Sequence, residues 1–260
     1  TKGVETEHEH PSITTLQAYL KEKDGKLALA RHQYKQIKDL HADYPWPYLM
    51  LAASYGKEKG KVMYWISKTR NSVQPNRNLN QWGLTDYPIV PQVPNAVYTS
   101  FTKMKGSEAS EKSAFAAAAG MSAFFMNKKG AASRWLGTST RLLKKSDAGS
   151  LYLAQYNLNR GSSSKAGFYA KRNIQNSRNT SFAYNVLGWV ALKRRSYTKA
   201  LQHFQQAMEG RPTFVSPKIG KAMVFYKQKK KDEALKQLKE ILSSSPDHHQ
   251  LLQKLYQLKW

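Results

Sequence analysis

Small residues recur in this chain at a fixed interval of 34, and that period constrains the fold more than any other feature. Stepping by 34 from Gly188 reaches Ala154 and Gly120 on one side and Ala222 on the other; stepping from Ala200 reaches Ala166, Ala132 and Ala234. Two columns that hold register through four copies describe a chain of stacked, similar units, because a period of about 20 to 50 residues is the signature of a solenoid. The columns have a packing reason. Where two antiparallel helices cross closely, a side chain larger than Ala pushes the backbones apart. Further apolar residues fill the space around the crossings: Tyr184, Leu187, Phe204 and Ala207 in one copy, and Phe225, Leu238 and Ile241 in the next. Pro212 and Pro246, again 34 apart, stop the second helix of their copies.

Taken together, Tyr184, Leu187, Gly188, Ala191, Ala200, Phe204, Ala207 and Pro212 resemble a tetratricopeptide repeat (TPR) unit. The copy at 181–214 carries the pattern most fully, and that at 215–248 has Lys218 and Lys221 where larger or apolar residues belong. The copies at 113–146 and 147–180 keep the small columns, with Lys144 and Arg178 in place of proline. Toward the N-terminus Ala18 and Ala52 fall on the Gly188 column, and Ala30, Tyr34 and Ile37 on the second-helix columns. The resemblance implies an all-α fold, a right-handed TPR-like superhelix of antiparallel helix pairs, to which the residues themselves add an irregular proline-containing insertion and a C-terminal capping helix built on Leu251, Leu252, Leu255 and Leu258.

Along the chain this reads as a flexible lead-in at 1–11, two degenerate TPR-like hairpins in 12–78, an irregular proline-containing insertion at 79–112, four repeats over 113–248 and a capping helix at 249–260. The two early hairpins break at Asp24-Gly25 and near Gly60. Within the insertion Pro88, Pro91 and Pro94 are spaced for one turn of polyproline II. Two readings stand: a ligand-like strip, or an ordered loop packed on its own solenoid through Trp82, Tyr87, Ile89 and Val93.

Charge is placed unevenly. Residues 1–50 balance seven Lys/Arg against seven Asp/Glu, whereas 111–260 carry 27 against seven. The cationic character therefore belongs to the four clearer repeats. No stretch of about 18 apolar residues is present, so no membrane span is expected. The absence of cysteine excludes disulfides, thiolate chemistry and cysteine-rich zinc sites. It favours an exported protein, such as a bacterial lipoprotein in the periplasm or attached to the outer membrane, although many cytoplasmic proteins share the feature. Catalysis has little support: "GKEKGK" at 56–61 has three residues between its glycines instead of the four of a phosphate loop, and Val62 stands where a hydroxyl is needed. No cofactor or metal is expected, and the alternating Glu7, His8, Glu9 and His10 read as an exposed tail.

Two surfaces are candidates for binding. The resemblance places the first helix of each pair on the concave face, so its groove-lining columns fall on Met121, Phe124, Phe125, Gln155, Phe182, Asn185, Trp189, Met223 and Tyr226. An apolar and aromatic groove suits a peptide or amphipathic helix; alternatively some of these side chains are core. The carboxylate clamp of chaperone-tail binders is not reproduced, since Asn185 alone matches it. The second surface is the edge where the turns within the hairpins emerge. It collects Lys128, Lys129, Arg160, Lys193, Arg194, Arg195, Lys227, Lys229, Lys230 and Lys231 into a ridge that attracts an anionic polymer or acidic protein, or else is a solvated surface. The first reading is a non-catalytic adaptor holding a protein or peptide partner in a cell-envelope assembly, similar to the TPR lipoproteins that help pilus secretins assemble. The second is a polyanion-binding module that takes nucleic acid, anionic cell-wall polymer or lipid headgroups on the basic edge.

Overall fold

The computed structural model describes residues 11–40, 44–69, 92–144, 147–177, 180–212 and 214–244, and among these it contains thirteen helices and no strand. They fall into two compact units, one with the described residues up to Trp135 and one with those from Leu136 onward. The first holds α1 (Pro11–Lys23), α2 (Leu27–Leu40), α3 (Trp46–Tyr55), α4 (Lys59–Lys68), α5 (Gln92–Lys103) and α6 (Ala109–Phe125). Helix α7 (Lys129–Leu142) contains the boundary. The second unit continues with α8 (Asp147–Asn159), α9 (Ser163–Asn176), α10 (Ser181–Lys193), α11 (Tyr197–Gly210), α12 (Val215–Lys227) and α13 (Lys231–Ser244).

In the second unit α8 pairs with α9, α10 with α11 and α12 with α13; each second helix also packs on the first helix of the next pair, and the first helices stack on one another. Composition explains the two roles. Helix α10 is apolar nearly all round and is buried at every position from Ser181 to Ala191 except Tyr184, as a helix without a polar face must be. Helix α11 instead buries one stripe, Ala200, Phe204 and Ala207, spaced by four and three, and leaves its other face in water.

The small columns lie at the packed crossings. Ala18, Ala52, Ala154 and Ala222 of one column, and Ala30, Ala132, Ala166, Ala200 and Ala234 of the other, are all buried. Gly188 shows why size matters there: a β-carbon added to it would lie 2.5 Å from the Phe204 ring. Gly220, which belongs to neither column, holds the opposite contact, with a β-carbon falling 2.3 Å from Phe204 Cζ. The phenyl ring, wholly buried, is thus wedged between glycines of α10 and α12.

In the first unit α1 pairs with α2, α3 with α4 and α5 with α6, and α3 is also packed on α2 and α5. Trp46 at the start of α3 is fully buried, with its ring edge-on to Phe125 at 4.8 Å. Two expectations change here. The second hairpin turns at Gly56, not near Gly60, which lies inside the first turn of α4. Residues 92–103, expected to be irregular, form α5, and the reason is positional: Pro94 is the third residue of the helix, where its missing N–H has no intrahelical acceptor to lose. The lead-in up to residue 10, the Pro88–Pro91 strip and the capping helix lie outside the described residues.

Candidate functional site

Four of the turns inside the hairpins share one geometry. At four positions 34 residues apart the backbone enters the left-handed region, with φ of 56° at Asn127, 81° at Gly161, 59° at Arg195 and 63° at Lys229. The same pair of bonds closes each: Ser196 N donates to Ala191 O at 2.9 Å and Arg195 N to Leu192 O at 2.9 Å, and the equivalent bonds run from 162 to 157, 161 to 158, 230 to 225 and 229 to 226. This is the Schellman end of a helix, and its left-handed position favours glycine because an L side chain there costs about 1–2 kcal/mol. Gly161 meets that demand and Asn127 is a tolerated substitute; Arg195 and Lys229 are neither.

All ten cations expected on the ridge are exposed. Within the second unit, side-chain bonds tie two consecutive turns together: Lys193 Nζ donates to Gly161 O at 2.9 Å, and Arg194 Nη2 donates to Ser164 Oγ at 3.3 Å. Arg160 is held by its own helix, its Nη1 3.0 Å from Tyr156 Oη. Lys227 lies over the Tyr226 ring, and in the first unit Lys128 lies over that of Tyr98.

The expected groove is different. Met121, Gln155, Phe182, Asn185, Trp189 and Met223 are buried, and only Phe124, Phe125 and Tyr226 are half-buried. Trp189 is a core residue: its ring stands edge-on to Phe204 at 5.5 Å and its indole N–H donates to Ser216 Oγ at 3.3 Å. Asn185 Nδ2 donates to the same hydroxyl at 3.1 Å, so the one polar residue shared with the carboxylate clamp is occupied by the start of α12. The Phe182 ring packs at a tilt against Phe214, centres 4.6 Å apart, with the Arg211 guanidinium 5.5 Å from its centre. The signal for this was in the sequence: "SFAYNVLGWVA" lacks the polar stripe that a helix facing an open groove carries.

The perturbed ionisable groups belong to helix ends and helix packing. Glu111 accepts bonds from Ser107 N at 2.8 Å and from the Ser107 hydroxyl, with Lys59 Nζ at 3.2 Å; these interactions, the backbone bond foremost, lower its pKa to about 2. Burial raises the pKa of Glu22, which accepts a 3.1 Å bond from the Tyr34 hydroxyl, and burial likewise pushes that hydroxyl up. Among the described residues no group of three His, Asp or Glu is placed to hold a metal ion, and no helix is long and apolar enough to cross a membrane.

Residues 191–258 match the family model for the tetratricopeptide repeat. The chain has a tetratricopeptide-repeat fold. A chain of the APC/C hetero-tetramer Cut9-Hcn1 has a similar fold, at a TM-score of 0.53 and 13% identity, covering 99% of this chain and 44% of that one. The present chain thus spans less than half the length of that structure. Two further solved structures are YrrB, a TPR protein with an unusual peptide-binding site (TM-score 0.47, 14% identity, 85% of this chain and 96% of that one), and PilW, a widely conserved type IV pilus biogenesis factor (0.41, 14%, 80% and 96%). At such identities the likeness concerns the fold alone. No curated protein matches this sequence.

Proposed function

We propose that this chain is a non-catalytic interaction scaffold that holds an anionic macromolecule against the basic edge of its repeats. The observation that carries the proposal is the contrast between the two candidate surfaces: every ridge cation is exposed, whereas six of the nine groove side chains are buried. A solvated row of cations steers a polyanion from a distance and binds it with an affinity that falls as salt rises. Replacing Lys193, Arg194, Arg195, Lys229, Lys230 and Lys231 by Gln tests it. The variant should keep its helicity and lose retention on a heparin-like column; unchanged retention overturns the reading.

A second reading, a peptide or partner helix, is favoured within the first unit by Phe124 and Phe125, which are half-buried at the C-terminal end of α6. Apolar binding responds little to salt, so a salt titration with the native partner separates the two. In either case we place the scaffold in a bacterial envelope assembly, on the resemblance of its repeats to those of secretin-assembly lipoproteins.

A further inference from the structure

We propose that the chain forms a two-fold dimer through the outward face of α1, with Ile13 of one copy packed on Leu20 of the second. The inference is independent of the reading of the basic edge.

Helix α1 has two unlike faces. Thr15 and Ala18 point into the first unit and are wholly buried, whereas Ile13 and Leu20 are 51% and 52% exposed, with Leu16 half-buried and Gln17 exposed between them. The 34-residue register shows what these positions do elsewhere. In the later first helices the equivalents of Ile13, namely Pro47, Phe115, Gly149, Ala183 and Pro217, are all buried. So are Ser122, Tyr156, Val190 and Val224 in the column of Leu20, while Ser54 is half-buried and accepts a bond from Arg31 of the hairpin before it. This is the face that a preceding hairpin covers, and among the described residues none precedes α1. A solenoid end that stands alone presents polar side chains to water. This one presents an apolar line.

Three features select a second copy as its cover. The line is self-complementary: Ile13 and Leu20 lie two turns apart on one side of the helix with Leu16 and Gln17 at the midpoint, so a two-fold axis there sets each end of the line on the opposite end of its copy. The charges fit the antiparallel sense. Residues 11–20 carry no charged side chain, and Lys21 and Lys23 stand in the last turn, so antiparallel packing sends the two sets of lysines to opposite ends where parallel packing would set them side by side. The net charge of +25 opposes self-association, but α1 belongs to residues 1–50, where seven Lys/Arg are balanced by seven Asp/Glu. The ten residues before α1 hold a single apolar side chain, Val4, too little to cover the line from within the chain. Contact through a 13-residue helix is smaller than a standard interface, so the dimer is weak and dissociates on dilution.

The test uses the full chain, which has no cysteine of its own. Sedimentation over a concentration series should show monomer and dimer in mass-action balance. Ile13→Glu with Leu20→Glu sets like charge against like charge and should raise the dissociation constant about 100-fold or more, the loss expected when two central apolar contacts go from each copy. Helicity and the thermal midpoint of the diluted chain should not change. Ile13→Lys with Leu20→Lys should fail alone in the same way, and mixing the Glu and Lys variants should restore association. Cysteine variants read the sense of packing. Under mild oxidation Gln17→Cys, next to the axis, should cross-link to itself, and Ile13→Cys should cross-link to Leu20→Cys in a mixture. Ile13→Cys alone should not, because its two copies lie about 10 Å apart along the helices, beyond the reach of a disulfide.

A chain that stays monomeric at every concentration overturns the proposal and leaves the face to a different protein. A dimer that the Glu variant leaves intact overturns it too, as does Ile13→Cys cross-linking to itself, the mark of parallel packing. Maleimide labelling of Leu20→Cys should slow as the concentration rises; slow labelling at every concentration would mean that the chain covers the face itself, and fast labelling at every concentration that nothing does, and either result refutes the dimer.

Discussion

Gly220→Ala should destabilise the second unit although it adds a single methyl group to a helix. In isolation the change favours the helix by about 0.5–1 kcal/mol, since glycine is the costlier residue in a helix interior. Against that stands Phe204. The new β-carbon would fall 2.3, 2.5 and 2.6 Å from Cζ, Cε1 and Cε2, roughly 1 Å or more inside ordinary carbon contact at about 3.5–4.0 Å. The ring cannot retreat, because the β-carbon direction of Gly188 meets its Cδ1 and Cε1 at 2.5 Å from α10. Forcing a methyl group into such a packed site costs about 1–3 kcal/mol, so helix propensity offsets only part of it. The net loss is about 1–2 kcal/mol, a fall of ~2–8 °C in the thermal midpoint for a unit of this size. Scanning calorimetry of Gly220→Ala, Phe204→Leu and the double variant measures it. The smaller side chain should recover part of the loss, a coupling expected of residues in direct contact. A midpoint for Gly220→Ala equal to or above that of the unaltered chain would show that the wedge is not tight, and the packing argument would fall.

Trp189→Ala should lower stability by about 3–5 kcal/mol, as loss of a core aromatic does, and thermal or urea unfolding reads it directly; a loss below about 1 kcal/mol would return Trp189 to the list of surface anchors. Ser216→Ala leaves the buried Asn185 amide and the Trp189 indole without their shared acceptor and should cost about 1–3 kcal/mol; a silent urea midpoint contradicts the bonds described. Glu111 has a folded pKa of about 2 against an ordinary 4.5, so the stability it lends is fully present above 4.5 and is lost as pH falls through that interval toward 2. Glu111→Gln should therefore reduce the pH dependence of unfolding between pH 5 and 2 as followed by helix ellipticity, and an unchanged profile refutes the assignment.

What the sequence by itself determined is whatever repeats locally. A small residue at a helix crossing, a cation in a turn and a proline after a helix each act within one or two turns of backbone, so period, helix-pair composition and the exposed basic edge could all be read from Gly188, Ala200, Lys193 and Pro212 with their equivalents. The tertiary structure decided which faces stay open. Whether Trp189 meets a ligand or the core depends on α11 and α12, brought to it from 15 and 27 residues away at Phe204 and Ser216. The pattern of one helix states only that it is apolar, not what covers it. Gly220 escaped the 34-residue columns for the same reason: its demand comes from one phenyl ring of the neighbouring hairpin, and nothing in its own helix calls for a glycine. The left-handed turns lie between the two cases. Gly161 announces its conformation, but Arg195 and Lys229 adopt the same one because the flanking helices pack in the same way, and the closing bonds impose a backbone that their own side chains disfavour.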